Sequence, residues 1–421
     1  MSEVVVVRGR LVQASALVDD GVVVVSGDRV VFAGAAQDAA DAGFGADVAR
    51  TPAAPDAYVL PGLVDLHNHG GGGASFPDAT TPEAALPGVL EHRRHGTTAL
   101  LASLVTAQPA VLLERAAVLA DLADAGEIEG LHAEGPFLSH RRRGAHNPAD
   151  LQEGSVELVK ELAAAARGWL RTMTVAPEVP GVTGAGGVAQ ALVELGVLPS
   201  LGHTDGSTEQ AEELIAQVTQ ALAASGGTAS GGTAGRMTAT HLFNGMRPLH
   251  HRAPGPIAAC LAAAARGDLV VELIGDGVHL DPATVRTVFE TVGADNVALV
   301  TDAMAAAGVA DGRYELGPMS VSVRAGVARI VPDDPSAPAD DGAIAGGTAH
   351  LVDVVRHAVA AGVPLVDAVR SATAVPARVL GLTGQVGALV DGARADVLVT
   401  DTDLRPVRVL RHGLDVAGVA A

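Results

Sequence analysis

The chain has 421 residues, of which 48% are hydrophobic and 18% charged, and 48 acidic against 28 basic residues give a formal net charge of −20. This length suits two or three domains, or one barrel of roughly 250 residues or more with an attached domain. Because a strongly acidic surface repels nucleic acid phosphates and anionic lipid, neither nucleic acid nor a membrane is expected as a partner.

Two rare residue types narrow the chemistry further. Cys260 is the single cysteine, which excludes an intrachain disulfide and a thiolate metal cluster. Lys160 is the single lysine, and its Ala-rich helical surroundings disfavour Walker-type loops, Schiff-base chemistry and carbamylated-lysine metal bridges. Neither a signal peptide nor an apolar run of membrane-spanning length is evident, so we expect a cytoplasmic protein.

The chain begins and ends with β-rich segments. Residues 4–34 contain short β-branched runs separated by Asp-Asp-Gly and Ser-Gly-Asp turns, which predicts a meander of antiparallel strands. Strand-like runs and Gly-rich turns alternate again at 385–415. Because the termini of a domain often lie close together, we predict one small β-sandwich domain formed by residues 1–57 and 379–421.

The intervening residues 58–378 are predicted to form an α/β (β/α)8 TIM barrel. Eight short apolar runs alternate here with helical stretches, the pattern of βα units in a parallel sheet. A doubly wound open sheet is the competing architecture, but it would not concentrate histidines at the ends of consecutive strands. The eight runs span residues 63–67, 98–103, 128–134, 171–178, 198–203, 237–241, 269–276 and 297–302.

Most of these runs end in a polar residue. A TIM barrel places its active site at the C-terminal ends of its strands, so these side chains should surround one cavity. They are His67, Glu134, Glu178, His203, His241, Asp276 and Asp302.

Three stretches are predicted to be additions to the barrel. Residues 312–331 are predicted to form a hairpin and residues 332–343 a polar loop. Residues 224–235 are rich in Gly, Ser and Thr and should form a flexible insertion. The helix before this insertion begins with Ser207 and Gln210, which predicts a capping box.

The histidines and one glutamate are candidate metal ligands. His67 and His69 occupy positions i and i+2 of a strand, so both imidazoles can face one ion, although a buried His-x-His pair can equally serve only as hydrogen-bonding groups. Glu134 ends an apolar strand, where a carboxylate is costly unless it is paired or bound to metal; a salt bridge to Arg141–Arg143 is the alternative. Together with His203 and His241, Glu134 forms a set typical of catalytic zinc sites.

Asp302 is the candidate general base. It ends the last barrel run, where it could remove a proton from the attacking water and return it to a leaving amine. An N-cap of a following Ala-rich helix is the competing interpretation, but a cap would not explain the ligands on the other strands.

Eight motifs occur in the order found in the N-acetylglucosamine-6-phosphate deacetylases of the amidohydrolase superfamily, which this chain resembles over essentially its whole length. The motifs are HNHGGGG at 67–73, HAEGPFL at 132–138, GAHNP at 144–148, LGHTDG at 201–206, THLFNGM at 240–246, GDGVHLD at 275–281, VTDA at 300–303 and GGT at 346–348.

The resemblance implies hydrolysis of the acetamide of N-acetylglucosamine 6-phosphate, in amino-sugar catabolism and cell-wall recycling. It implies one or two divalent ions per subunit, zinc or iron, with the main site at Glu134, His203 and His241 and a second at the His67–His69 pair. Asp302 would be the catalytic acid and base. Asn244, the Gly245 backbone and Arg252, which would reach across a homodimer, would bind the phosphate. The implied acetamide and sugar contacts are Ala145, His146, His279, Ala345 and Gly346.

Alternatives remain open at this stage. Another amidohydrolase activity, such as cyclic-amide hydrolysis or nucleobase deamination, is the enzymatic alternative, although the first usually uses a bridging lysine and the second needs no phosphate-binding arginine. A metal-free scaffold of the same fold is the non-enzymatic alternative. The Arg141–Arg143 run predicts either a basic lid over the phosphate or a solvated charge run.

Overall fold

The computed structural model describes residues 4–225, 235–332 and 342–419. Most of the predicted Gly/Ser/Thr insertion and of the predicted polar loop at 332–343 lies outside these ranges. Among the described residues, no helix is both long and apolar enough to cross a lipid bilayer.

Strands and helices alternate through the middle of the chain, between β-rich ends. The strands are β1 (Val4–Val12), β2 (Leu17–Ser26), β3 (Arg29–Ala35), β4 (Ala57–Pro61), β5 (Leu63–Asn68), β6 (Gly70–Gly71), β7 (Ala74–Ser75), β8 (Thr97–Val105), β9 (Gly130–Glu134), β10 (Leu170–Val175), β11 (Leu198–Leu201), β12 (Met237–Ala239), β13 (Leu269–Leu273), β14 (Val297–Leu299), β15 (Gly312–Leu316), β16 (Met319–Arg324), β17 (Val327–Ile330), β18 (Val397–Asp401), β19 (Pro406–Arg411) and β20 (Leu414–Asp415). The α-helices are α1 (Gly45–Arg50), α2 (Pro82–Arg94), α3 (Pro109–Asp124), α4 (Val156–Ala165), α5 (Val188–Glu194), α6 (Thr208–Ala224), α7 (Gly255–Arg266), α8 (Pro282–Val292), α9 (Leu351–Ala360), α10 (Leu365–Ser371) and α11 (Ala374–Val379).

The eight predicted barrel runs form one parallel sheet, which confirms the TIM barrel. Strands β5 and β8 to β14 pair in chain order, and the outermost two meet where the Asp302 amide donates to the His67 carbonyl at 2.9 Å. A parallel bridge between Asn68 and Ala303 lies at the same place. This junction of β5 with the end of β14, where the barrel closes, is called the seam below. Every residue of β8, β9 and β11 is buried, as expected for strands with side chains packed inside the barrel and helices outside.

A seven-stranded sheet unites the two ends of the chain, in the order β20, β19, β18, β4, β1, β2, β3. The predicted N-terminal meander is confirmed as β1, β2 and β3. The two ends join where β4 pairs in parallel with β1 and antiparallel with β18. Residues 386–390 form bends and irregular backbone, although a strand was predicted at the start of the C-terminal segment. The C-terminal part of the sheet therefore starts at β18.

The predicted hairpin at 312–331 is a three-stranded antiparallel sheet. Strand β16 pairs with both β15 and β17, because the segment contains two tight turns where the prediction assumed one. Gly317 and Gly326 occupy these turns with φ angles of 54° and 72°, a left-handed backbone that glycine adopts without steric cost. The predicted capping box at the start of α6 is present, with Ser207 and Gln210 bonded to each other's backbone amides.

A buried carboxylate fastens the barrel seam. Asp65 on β5 is fully buried and accepts hydrogen bonds from Thr301 Oγ1 at 2.6 Å, Asn68 Nδ2 at 3.1 Å and the Thr301 amide at 3.2 Å. Burial raises the pKa of Asp65 to about 6 against the lowering effect of these hydrogen bonds. The carboxylate thus connects two strands more than two hundred residues apart in sequence.

Replacing Asp65 with alanine is expected to lower the free energy of unfolding by about 2–5 kcal/mol, because buried donors on both sides of the seam would lose their acceptor. Chemical denaturation of the purified variant measures the change. The exposed Asp41 offers the control: Asp41→Ala should stay within about 0.5 kcal/mol of the unmodified protein. Equal stabilities for the Asp65 and Asp41 variants would contradict a role for Asp65 at the seam.

Candidate active site

A cavity of about 240 Å³ opens at the C-terminal ends of the barrel strands. Of the fourteen residues predicted to act in catalysis, metal binding or substrate binding, eleven line it and three do not. His67 is fully buried behind the cavity wall, Ala345 is buried in the adjoining loop, and Arg252 lies exposed on the surface. The predicted residues on the wall are His69, Glu134, Ala145, His146, His203, His241, Asn244, Gly245, His279, Asp302 and Gly346.

The Glu134 carboxylate lies between two histidine pairs. Its Oε1 atom is 3.0 Å from His203 Nε2 and 2.8 Å from His241 Nε2. Its Oε2 atom is 3.2 Å from His69 Nε2 and 3.6 Å from His67 Nε2. Glu134 therefore contacts imidazoles and none of the arginines of the 141–143 run, so the salt-bridge alternative does not apply.

Asp302 borders the same cluster. Its Oδ1 atom lies 3.2 Å from both His67 Nε2 and His69 Nε2. Residues 305–309 form turns and a bend, so no helix follows that Asp302 could cap. Its side chain is thus directed at the histidines.

Three of the site residues have an unusual backbone. His203, His241 and Asp302 have positive φ angles of 46°, 28° and 48°, where a residue with a Cβ atom is strained by about 1–3 kcal/mol. Each follows the end of a barrel strand, and the left-handed conformation turns its side chain toward the cavity. A purely structural position of this kind would favour glycine, so the strain indicates that these side chains are needed for function.

Further contacts orient the imidazoles. His203 Nδ1 donates to the Arg142 carbonyl at 2.7 Å, and this orients the ring so that Nε2 faces Glu134. His279 Nδ1 lies 2.8 Å from Asp276 Oδ2, and this leaves its Nε2 for a ligand. Partners that fix the second ring nitrogen are typical of histidines that bind metals or substrates.

The electrostatics favour ionised carboxylates at this site. Burial opposes ionisation of Glu134, but His67 and His146 outweigh it and hold the pKa of the carboxyl well below its ordinary value. Burial also opposes ionisation of Asp302, whose pKa is nevertheless lowered by His67 and His69. Burial lowers the pKa values of His67 and His69 in turn, but Asp302 and Glu134 outweigh it and raise both. Two buried carboxylates among four imidazoles form a ligand set that suits a divalent cation, which would displace the imidazole protons when it binds.

The donor geometry also fits a metal ion. Two ligands bound tetrahedrally at about 2.1 Å from an ion lie about 3.4 Å apart, and the His203 and His241 Nε2 atoms are separated by 3.1 Å. One donor atom each from His67, His69, Glu134 and Asp302 lies within 4.8 Å of the others. Each Glu134 oxygen faces a different histidine pair.

The opposite side of the cavity contains Asn244 and Gly245. A Cβ atom at Gly245 would lie 2.7 Å from His203 Nδ1, so a residue larger than glycine would require a shift of the loop or of the imidazole. Arg141 and Arg142 form ion pairs with Asp205 at 3.2 Å and 2.8 Å. Those pairs hold both arginine side chains away from the wall of the cavity.

Asp276 and Glu178 were also predicted to face the cavity, and neither lines it. Asp276 lies behind His279. The Glu178 Oε1 and Oε2 atoms accept hydrogen bonds from the Asp205 amide and the Thr204 hydroxyl, both at 2.6 Å. Glu178 therefore anchors the loop that follows His203.

Several residues were missed from the sequence. Glu272, buried on β13, approaches His67 Nδ1 at 3.4 Å, too far for a strong hydrogen bond; a lone glutamate in the apolar run LVVEL could have revealed it. His132, in the inner layer of the barrel, contacts Thr174 Oγ1 at 2.8 Å. Val105 and Leu316 line the cavity, and nothing distinguishes them from core residues in the sequence.

Comparisons with known proteins agree with this geometry. The chain is 30% identical to an N-acetylglucosamine-6-phosphate deacetylase of Bacillus subtilis (strain 168), over 85% of this chain and 84% of the relative. It is 31% identical to an N-acetylgalactosamine-6-phosphate deacetylase of Escherichia coli O157:H7, over 85% of this chain and 88% of that protein.

A solved structure is similar over almost the full length. It is a mutant N-acetyl-D-glucosamine-6-phosphate deacetylase from Mycobacterium smegmatis in complex with N-acetyl-D-glucosamine-6-phosphate, with a TM-score of 0.83 and 38% identity, covering 99% of this chain and 100% of that one. The model of the amidohydrolase family matches residues 58–419. On this match and these relatives, the chain belongs to the amidohydrolase family.

Proposed function

We propose that the chain hydrolyses the acetamide of N-acetylglucosamine 6-phosphate to glucosamine 6-phosphate and acetate. The observation that carries the proposal is the Glu134 carboxylate between two histidine pairs, with Asp302 3.2 Å from one of them. The activity named for relatives at 30% and 38% identity supports the substrate. Release of acetate from N-acetylglucosamine 6-phosphate, compared with the unphosphorylated sugar, is the direct test.

In this proposal Glu134, His203 and His241 would hold the main ion, and the His67–His69 pair would help to hold a second. The chemistry that a divalent ion supplies when bound is polarisation of the amide carbonyl and a lowered pKa of water. Asp302, ionised in its resting state, accepts the proton of the attacking water. The same carboxyl then protonates the amine nitrogen, which makes the free amine a better leaving group.

Other residues of the wall hold the substrate. His279, with Nδ1 fixed by Asp276, presents Nε2 to the sugar or the acetamide, and His146 lies beside Glu134 at 3.5 Å. We assign the phosphate to Asn244 and the Gly245 amide. Because the formal net charge of −20 repels anions at long range, preference for a phosphorylated sugar requires such a specific pocket.

We further propose that Arg252 completes the phosphate site of a second copy in a homodimer. Its guanidinium is exposed and contacts His251 Nε2 at 2.8 Å, and it lines no part of the cavity in its own chain. A guanidinium can bind phosphate through two parallel hydrogen bonds. The cytoplasm is the compartment we propose, because it is where a phosphorylated sugar would be retained.

Arg252→Ala is expected to lower kcat/KM for the 6-phosphate by roughly 10- to 150-fold, the cost of losing a charge-assisted contact of about 1.5–3 kcal/mol. Slow hydrolysis of the unphosphorylated sugar should be nearly unchanged. The control is Arg50→Ala, at an exposed arginine on α1, which should alter neither rate. Equal losses on both substrates for the Arg252 variant would make Arg252 a structural residue.

A mixing experiment tests the dimer. Protein carrying Asp302→Asn and protein carrying Arg252→Ala are each weakly active on the 6-phosphate. In an exchanged heterodimer one site has both intact residues, so activity should rise above the sum of the separate samples. No gain after subunit exchange, verified by tagged copies, would exclude a shared site.

A second substrate is favoured by one comparison. The relative named as an N-acetylgalactosamine-6-phosphate deacetylase is 31% identical over 85% of this chain, so kcat/KM should be measured for both epimers. A cyclic-amide hydrolase is disfavoured because Lys160, the residue that could carry a bridging carbamate, is exposed on α4.

A further inference from the structure

Val105 lies in the wall of the active-site cavity, beside the Glu134 carboxylate. The two residues are directly paired as the last residues of the parallel strands β8 and β9. Residues 103 and 132 pair two positions earlier, and their side chains meet at 3.0 Å between Ser103 Oγ and His132 Nδ1. Because side chains of one strand alternate between its faces, Val105 and Glu134 point to the same inner face.

A second cavity of about 290 Å³ lies behind this wall. Val105 lines both cavities, whereas Leu316 lines only the first and Gly317 only the second. The Val105 side chain packs closely on this turn, since a Cβ atom at Gly317 would lie 2.7 Å from Val105 Cγ2. Val105 with the β15–β16 turn thus forms a partition between the two cavities.

The partition is apolar on the side of the reacting centre. Val105 and Leu316 belong to one buried hydrophobic cluster with Met304 and Ala305, and Ala145 packs against it. In the proposed reaction, an acyl carbon bound between Glu134 and Asp302 would carry an oxygen directed at the metal ligands and a nitrogen that leads to the sugar. Its third substituent, the acyl methyl, is the group that an apolar wall would accept.

We propose that Val105, with Leu316, is the residue that restricts the acyl group to acetyl, by closing the second cavity to longer chains. This inference rests on the proposed deacetylase function and assigns a specificity determinant to the same site. A longer acyl chain would have to displace the Val105 side chain, whereas a shorter side chain there would open the space behind it.

The test compares N-formyl-, N-acetyl-, N-propionyl- and N-butyrylglucosamine 6-phosphate with the metal-loaded enzyme, following release of the common product, glucosamine 6-phosphate. Val105→Ala removes two methyl carbons and should raise the propionyl-to-acetyl ratio of kcat/KM by about 10-fold or more, as expected for one methylene in an apolar pocket. Val105→Leu narrows the site and should raise the formyl-to-acetyl ratio by a similar factor.

Val321→Ala is the matched control, because Val321 lies in the same buried cluster but lines neither cavity. Its acyl ratios should equal those of the unmodified enzyme. The partition would be overturned, with the proposed function left standing, by either of two results. One is that both Val105 variants are active and keep the acyl ratios of the unmodified enzyme. The other is that the Val321 variant shifts these ratios as much as the Val105 variants do. Failure of the unmodified enzyme to release amine from any of the four compounds would overturn the proposed function and the partition with it.

Discussion

Asp302→Asn is expected to lower kcat by about 10²- to 10⁴-fold, the contribution of a positioned general acid and base. Asparagine keeps the size of the side chain but cannot take up a proton from water. Asp302 Oδ1 lies 3.2 Å from His67 and His69, whereas Glu134 Oε1, His203 and His241 do not depend on it. The main ion and the affinity for substrate should therefore be retained.

The measurement combines steady-state kinetics with metal analysis of the same preparation. Asp41→Asn, at an exposed carboxyl, is the control for the substitution itself and should leave kcat unchanged. Turnover that survives in the Asp302 variant would require another proton acceptor in the cavity. Complete loss of metal would instead make Asp302 chiefly a ligand.

His203→Ala is expected to remove most of the bound metal and to reduce activity by about 10²-fold or more, because a lost ligand weakens both the ion and the chemistry it supports. His203 Nε2 contacts both Glu134 Oε1 at 3.0 Å and His241 Nε2 at 3.1 Å. Elemental analysis and acetate release from one preparation give both quantities. Full metal content together with full activity would refute the assignment.

His67→Ala is the matched substitution in the other half of the cluster. If one ion suffices for catalysis, this variant should lose less activity than His203→Ala. A loss as large as that of His203→Ala, accompanied by a fall in metal content of one ion per subunit, would establish that two ions are needed and that His67 helps to hold one of them.

Much of the fold was determined by local sequence patterns. Each barrel strand is a short apolar run next to a helical stretch. The spacing of apolar residues that distinguishes a strand from a helix is visible within a few neighbouring residues, so all eight strands were predicted. His203, His241 and Asp302 were identifiable for the same reason, because a polar residue at the end of an apolar strand stands out locally. The N-terminal meander and the capping box of α6 likewise depend on residues close together in sequence.

Tertiary structure alone decided how these groups combine. Glu134 became the group shared by two histidine pairs, and Asp65 and Thr301 meet across a seam that joins β5 to β14. Glu178 was turned away from the cavity by the loop after His203, which no local pattern encodes. Val105 resembles a core residue in the sequence, and only the contact with the β15–β16 turn makes it a partition between cavities. The reason is physical. The spacing of apolar residues in a strand or helix depends on residues adjacent in sequence. Burial, shared ligands and cavity walls instead arise from residues that are distant in sequence and meet only when the barrel closes.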